Sequence, residues 1–293
     1  MSPQPMSPSG MSRRAFLAAA GGAVGAAAFA STAGASLLAS VGQQKSKALS
    51  PLVLSSDLYA SPDPQRLAFA IARGAAFASG APAQVALAPP GADEGQVFDT
   101  TLHRAGLPKG RGVYVADVAL DTAGVWNALA ITRGKRVPFA LDVKAQPEAP
   151  TVGSVAPRAA SPTKADTLGV KPICTRRPQC PLHEVSLADV TGTGKPVAVM
   201  FATPALCQSM YCGPVLDELL DIRAPFADAV TFVHVEIYTS NKGADLSPTV
   251  EAWALPSEPW FFTIDGTGTI KSRLDGAFGG DEMQANLEAL TAV

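Results

Sequence analysis

The chain has 293 residues, a length that allows about two domains. Hydrophobic residues make up 47% and charged residues only 16%, which suits packed cores and excludes a disordered chain. The formal net charge of -2 leaves no electrostatic case for nucleic acid or an anionic membrane surface as a partner.

Residues 1–41 contain Ser12-Arg13-Arg14-Ala15-Phe16-Leu17, followed by a mild apolar run rich in Ala and Gly. This pairing resembles a twin-arginine export signal, an address read by a receptor and not part of the fold. Ala28-Phe29-Ala30 and Ala33-Gly34-Ala35 both offer small-residue cleavage sites. Left uncleaved, the run is long enough to cross about 30 Å of bilayer and would tether the chain. The remainder is expected outside the cytoplasm, in the periplasm or cell envelope, with membrane contact only through that signal. Disulfides persist there.

From 51 to 143 short runs of β-formers alternate with Gly, Pro, Asp and Ser clusters, the spacing of a small all-β sandwich. The runs begin at Arg66, Ala83, Arg111, Gly124 and Val137. The wording around Gly112-Val113-Tyr114 and Gly124-Val125-Trp126 resembles immunoglobulin-like modules of envelope proteins, including some copper-resistance proteins. That resemblance implies a spacer or docking domain. No constellation of His, Met or carboxylates stands at ligand spacing here, and His103 reads as a solvated residue in a polar connection. Residues 144–167 have few large apolar side chains and prolines at Pro147, Pro150, Pro157 and Pro162. They are expected to form a semi-extended linker between two domains.

The second domain is expected over 168–293. Val197-Ala198-Val199-Met200-Phe201 is an apolar run without alternation, as in a strand covered on both faces. Thr203 and Pro204 end it, and Val215, Leu216, Leu219 and Leu220 then recur at helical spacing. Cys207 and Cys212 sit at the junction, where the positive end of a helix dipole favours a thiolate. A second strand is expected from Val230, and a helix begins at Ser247-Pro248. Trp260 to Asp265, a Gly266–Gly268 turn and Thr269 to Leu274 read as a hairpin. Asp281 with Gln284 reads as a capping box for a last helix.

The order strand, helix, strand, helix, hairpin, helix, together with GKPVAVMFAT, CGPVLDEL and EPWFFTIDGTGTI, resembles a thioredoxin fold. It is similar to the secreted or membrane-tethered thioredoxin-like reductases of the TlpA/ResA type. The resemblance implies an α/β thioredoxin-like domain that exchanges thiols and disulfides with envelope proteins and is recycled by a redox partner. It also implies a cis Pro259, with Glu258 and Trp260 beside it in a loop that pairs with substrate. The motif departs from the family. In ungapped register the family's two cysteines fall on Leu206 and Ser209, Met200 replaces the usual buried acid, and Cys207 and Cys212 form C-x4-C instead of C-x2-C.

Residues five apart on an ideal helix stand about 140° apart around the axis, too far for a disulfide. Exchange through Cys207 and Cys212 therefore requires Cys207 to lie in the loop ahead of the helix. Three other readings stay open. Q-type peroxiredoxins also use C-x4-C near a helix start, which implies a thiol peroxidase. Sco-type copper chaperones share the fold and use C-x3-C with a distant His; here a metal set would draw on Cys180, His183, Cys207 and Cys212, with soft thiolates favouring Cu(I) or Zn. The third is a non-catalytic binding module with a structural Cys207–Cys212 bond. Cys174 and Cys180 are expected to form a disulfide closing a short loop, and His234 to be a core residue of its strand. The oxidoreductase reading needs no cofactor beyond its own disulfide and no metal.

Overall fold

The computed structural model describes residues 11–12, 48–73, 76–77, 80–92, 94–207, 211–243 and 245–292. Arg13 and Arg14 of the expected export signal lie outside the described residues, as does Ser209. No helix among the described residues is long and apolar enough to cross a membrane.

The first half is all antiparallel β. One sheet runs β1 (Met11–Ser12), β6 (Glu94–Asp99), β5 (Ala83–Ala88), β9 (Gly124–Thr132), β10 (Lys135–Val143). The other runs β2 (Leu49–Val53), β3 (Ser61–Arg73), β8 (Val113–Leu120), β7 (Thr101–His103), with β4 (Ala76–Phe77) also on β3. Side chains alternate across each strand, so one face of each sheet can be apolar. Leu67, Phe69 and Ile71 of β3 and Tyr114, Ala116 and Val118 of β8 meet Val85, Leu87, Trp126 and Leu141 of the other sheet in one buried core. Two sheets sharing such a core make a sandwich. The strands of residues 94–99 and 101–103 were not legible in sequence, because their side chains are mostly exposed or half-buried and carry no apolar alternation.

The second half is built on a four-stranded sheet in the order β12 (Thr231–Val235), β11 (Val197–Phe201), β13 (Trp260–Ile264), β14 (Ile270–Asp275). β11 pairs parallel with β12, and β13 runs antiparallel to both β11 and β14. Among the described residues four α-helices accompany it: α1 (Leu187–Val190), α2 (Cys212–Ile222), α3 (Pro248–Ala252) and α4 (Gly280–Thr291). All five residues of β11 are buried, as expected for a strand covered on both sides. Ala198 and Met200 point into a core with Val215, Leu216 and Leu219 of α2 and Met283 and Leu287 of α4. Val197, Val199 and Phe201 point the other way, towards Leu187, Val250 and Trp253. Pro214 is tolerated because it falls in the first turn of α2, where the missing N–H has no helical acceptor.

Residues 144–167 do not hang free between the units. Ala149 and Ala156 are buried in the second core, and the amide of Ala156 donates to Gly268 O at 2.9 Å. The segment expected as a linker is a strap packed across the thioredoxin-like sheet, anchored by small side chains that give no apolar signature. The capping box at the last helix is also absent. Gly279 is the N-cap without a side-chain bond, Gln284 Nε2 donates to Glu288 Oε1, and Asp281 pairs with His103 Nδ1 at 2.9 Å. His103 is thus a strand residue of the sandwich joined to α4, not a solvated connection.

The two halves meet through buried charges. The Asp57 carboxylate accepts from Arg273 Nη2 and Lys144 Nζ, each at 3.1 Å, and from the amides of Glu148 and Ala149. Arg66 of β3 forms an ion pair with Glu282 of α4 and donates to the carbonyls of Asp275 and Ala277.

Candidate functional site

β11 ends at Phe201, and the chain turns through 202–207 before α2 begins. Ala202 donates its amide to Val235 O at 3.1 Å, and Ala205 donates to Thr175 Oγ1 at 3.1 Å, which fixes the turn between β12 and the 174–180 loop. Cys207 lies in this loop, half-buried, ahead of the helix; Cys212 is the first residue of α2 and is fully buried. The geometric condition for a C-x4-C pair is therefore met. The Cys212 amide donates to Cys207 Sγ at 3.2 Å, so the two cysteines face each other across the loop.

Neither cysteine is in a disulfide. Both sulfurs and a carboxylate oxygen of Glu258 lie within 4.8 Å of one another. The Glu258–Pro259 peptide is cis, and the Glu258 carboxylate brings the loop before β13 beside the thiols. Burial, then the nearby Cys207 sulfur, pushes the Cys212 thiol far above its ordinary range. Of the two thiols, Cys207 is half-buried and Cys212 is fully buried.

Trp260 does not belong to a substrate surface. It is fully buried, stacks on Phe262 at 5.5 Å, and lies beneath the Arg273 guanidinium at 5.1 Å. Pro259 is also buried, and its carbonyl accepts from Gly276. Of the three residues expected to contact substrate, Glu258 alone is half-exposed. The sandwich reaches the site as well: Arg111 sits 5.5 Å over the ring of Tyr211, the residue before Cys212.

Cys174 and Cys180 do not form the expected disulfide. Both thiols are buried beside two imidazoles: Cys180 Sγ is 3.3 Å from His183 Nε2 and 3.3 Å from His234 Nδ1, and Cys174 Sγ is 3.7 Å from His234 Nδ1. His234 is buried as expected of a core residue, yet it is a polar partner rather than packing. The set Cys180, His183, Cys207, Cys212 is not assembled either. The structure divides it between two clusters, one of Cys174, Cys180, His183 and His234 and one of Cys207, Cys212 and Glu258. The first was missed because His234 lies in an apolar strand far along the chain; C-x2-H at Cys180–His183 was the available signal.

The Cys174 thiol is pulled well down, first by a hydrogen bond from Cys180 and then, against burial, by the imidazoles; Cys180 is pushed up by the same bond. Burial pulls His183 down. Burial also opposes charge on His234, but the Cys174 sulfur and the Glu236 carboxylate outweigh it and raise that imidazole.

A cleft of about 820 Å³ lies where the halves meet, lined by Tyr59, Arg66, Asp117, Arg273 and Asn286 among others. None of the four cysteines lines it, so its size gives no reason to place the chemistry there.

Strand order, the parallel β11–β12 pair and the antiparallel β13–β14 hairpin, with α2 and α4 on one side, define the second half as thioredoxin-like. Solved structures similar to the chain include a Chlorobium tepidum protein described as thiol:disulfide interchange protein DsbE, at 18% identity and TM-score 0.35, over 48% of this chain and 97% of that one. Another is a thioredoxin-family thiol:disulfide interchange protein from Chlorobium tepidum TLS, at 15% identity and TM-score 0.31, over 48% and 99%. A third is the exposed lipoprotein thioredoxin Etrx1 of Streptococcus pneumoniae TIGR4, at 18% identity and TM-score 0.26, over 36% and 91%. No family model matches the chain, and no curated protein does.

Proposed function

We propose that the chain is an exported thiol–disulfide oxidoreductase working through Cys207 and Cys212 on envelope proteins. The observation that carries the reading is the Cys212 amide donating to Cys207 Sγ at 3.2 Å, with Cys207 in the loop and Cys212 buried behind it. An N–H aimed at sulfur favours the thiolate, which is the nucleophile in exchange. The Cys207 thiolate attacks one sulfur of a substrate disulfide, forming a mixed disulfide and releasing the other substrate sulfur as a thiolate that takes up a proton. Cys212, once deprotonated, attacks Cys207 Sγ and releases the second substrate thiol. The dithiol has then given two electrons to the substrate and become the Cys207–Cys212 disulfide, which an external dithiol must reduce. The reverse sequence oxidises a substrate dithiol.

The same proposal includes the extracytoplasmic location, from the signal-like residues 1–41, and the immunoglobulin-like assignment of the sandwich, from its two antiparallel sheets. The test is reduction of a protein disulfide by the dithiol form of the chain. Exchange that survives Cys207→Ser overturns the reading. Turnover of hydrogen peroxide in place of exchange would make the protein a thiol peroxidase, and stoichiometric Cu(I) capture by Cys207 and Cys212 a copper chaperone.

A further inference from the structure

Lys171 to His183 run along the exposed edge of β12. The Lys171 amide donates to Thr239 O, and the His234 amide donates to Leu182 O at 2.9 Å. At the centre of this contact Cys174, Cys180, His183 and His234 turn four donor atoms to one point, all within 4.8 Å of one another. All four residues are 2% exposed or less.

We propose that Cys174, Cys180, His183 and His234 form a tetrahedral Zn2+ site that fastens the 171–183 loop to β12, behind the loop that carries Cys207. Zn–N bonds of about 2.0–2.1 Å and Zn–S bonds of about 2.3 Å place tetrahedral donors about 3.3 Å apart for two nitrogens and about 3.8 Å for two sulfurs. Mixed pairs fall between. Here His183 Nε2 and His234 Nδ1 are 3.1 Å apart, and three of the four nitrogen–sulfur separations are 3.3, 3.3 and 3.7 Å.

Surrounding bonds orient the donors. His234 Nε2 lies 3.0 Å from the carbonyl of Ala202, which can only accept, so Nε2 carries the proton and the Nδ1 lone pair faces the cluster. The Cys180 amide donates to Cys174 Sγ at 3.4 Å, an arrangement that suits a bound thiolate. Charge selects the ion. Two thiolates and two neutral imidazoles balance Zn2+ in a buried site, whereas Cu(I) would leave an uncompensated negative charge there.

The site would also steady the redox loop. Thr175, next to Cys174, accepts the Ala205 amide, Arg176 is ion-paired with Asp217 of α2, and Ala202 opens the turn that leads to Cys207. The zinc reading does not depend on exchange at Cys207 and Cys212, so either can fail alone.

The test is metal content of the full chain after dialysis against Zn2+ and removal of loose ions. About one zinc per chain is expected, with four donors from the protein and no open position. Cys174→Ser and His183→Ala should each lower retention at least tenfold against a chromophoric chelator, while Cys207→Ser and Cys212→Ser leave it unchanged. Since the first two variants can fail to fold, Co2+ substitution of the unaltered chain gives a second readout: tetrahedral visible bands with a thiolate charge-transfer band are expected. No retained zinc, a Cys174–Cys180 disulfide in mass spectra of protein kept with Zn2+, copper retained in preference to zinc, or loss of zinc only on changing Cys207 or Cys212 would each overturn the proposal.

Discussion

The backbone amide of Cys212, the first residue of α2, points at the sulfur of Cys207 from 3.2 Å. In the exchange proposed for this pair, that bond gives unequal roles to two chemically identical side chains. Cys207 receives an N–H and stands half-exposed, while Cys212 is buried. Removing the buried partner should therefore trap the mixed disulfide. Cys212→Ser, reacted with a protein disulfide, is expected to accumulate a covalent adduct through Cys207, visible on non-reducing gels and by mass spectrometry. Cys207→Ser is expected to give no adduct and background exchange. Equal adduct yields from the two variants would contradict the assignment.

The strand and helix that flank Cys207 and Cys212 were legible because their signals are local. β11 is a continuous apolar run, α2 shows its apolar face at helical spacing, and the register of a thioredoxin-like motif can be laid on the residues between. What escaped detection depended on partners distant in sequence. His234 reads as one polar residue among β-formers, and only the fold brings it to His183, 51 positions away. Asp281 looked like a cap, but its carboxylate found His103 on the sandwich, 178 positions away. Trp260 stands next to the cis proline as expected, yet it opens a strand whose five residues are all buried, covered on both faces by core. The strap at 144–167 was read as free because alanines bury little surface and leave no periodic trace.

Burial raises the Cys212 thiol, and this links stability to pH. Its folded pKa lies above the value of about 8.5 of an unfolded cysteine, so the folded state holds the proton more tightly. That contribution is fully present below about pH 8.5. It is lost progressively as pH rises towards the folded value, by at most about 1.4 kcal/mol per unit. Urea midpoints of the reduced protein are expected to fall between pH 8.5 and 10, and Cys212→Ala should flatten that slope. An unchanged slope in the variant would show that another group is responsible.

Glu258 holds a carboxylate oxygen within 4.8 Å of both thiols, and Met200 of β11 is an apolar core residue. A negative charge near two sulfurs disfavours their thiolates and so disfavours the dithiol form. Glu258→Gln is expected to stabilise the reduced state and make the disulfide more oxidising, by up to about 30 mV, the equivalent of roughly 1.4 kcal/mol. Equilibration with glutathione at pH 7 measures the shift. A more reducing potential in the variant would mean that the carboxylate acts on the site chiefly through its bond from Tyr238 Oη.

Asp57 is expected to couple the unfolding of the sandwich to that of the thioredoxin-like unit. Its side chain is fully buried, and it joins the sandwich to Arg273 of β14, to Lys144, and to the strap amides of Glu148 and Ala149. Burial alone would raise its pKa, but the Glu148 amide, Arg273 and Lys144 outweigh it and hold the carboxylate below its ordinary range. The group therefore binds its proton more weakly folded than unfolded. The stability it supplies is present above about pH 3.9 and disappears as pH falls through the folded value. Asp57→Ala leaves Arg273 and Lys144 without their shared acceptor, though Lys144 keeps Glu148, a loss expected to cost up to about 3 kcal/mol. Calorimetry of the variant at pH 7 should show two separated transitions where the unaltered chain shows a coupled one. The unaltered chain should approach the same separation only on acidification below about pH 4. A single transition in the variant would mean that Arg66 and its partners Glu282 and Asp275 suffice to hold the halves together.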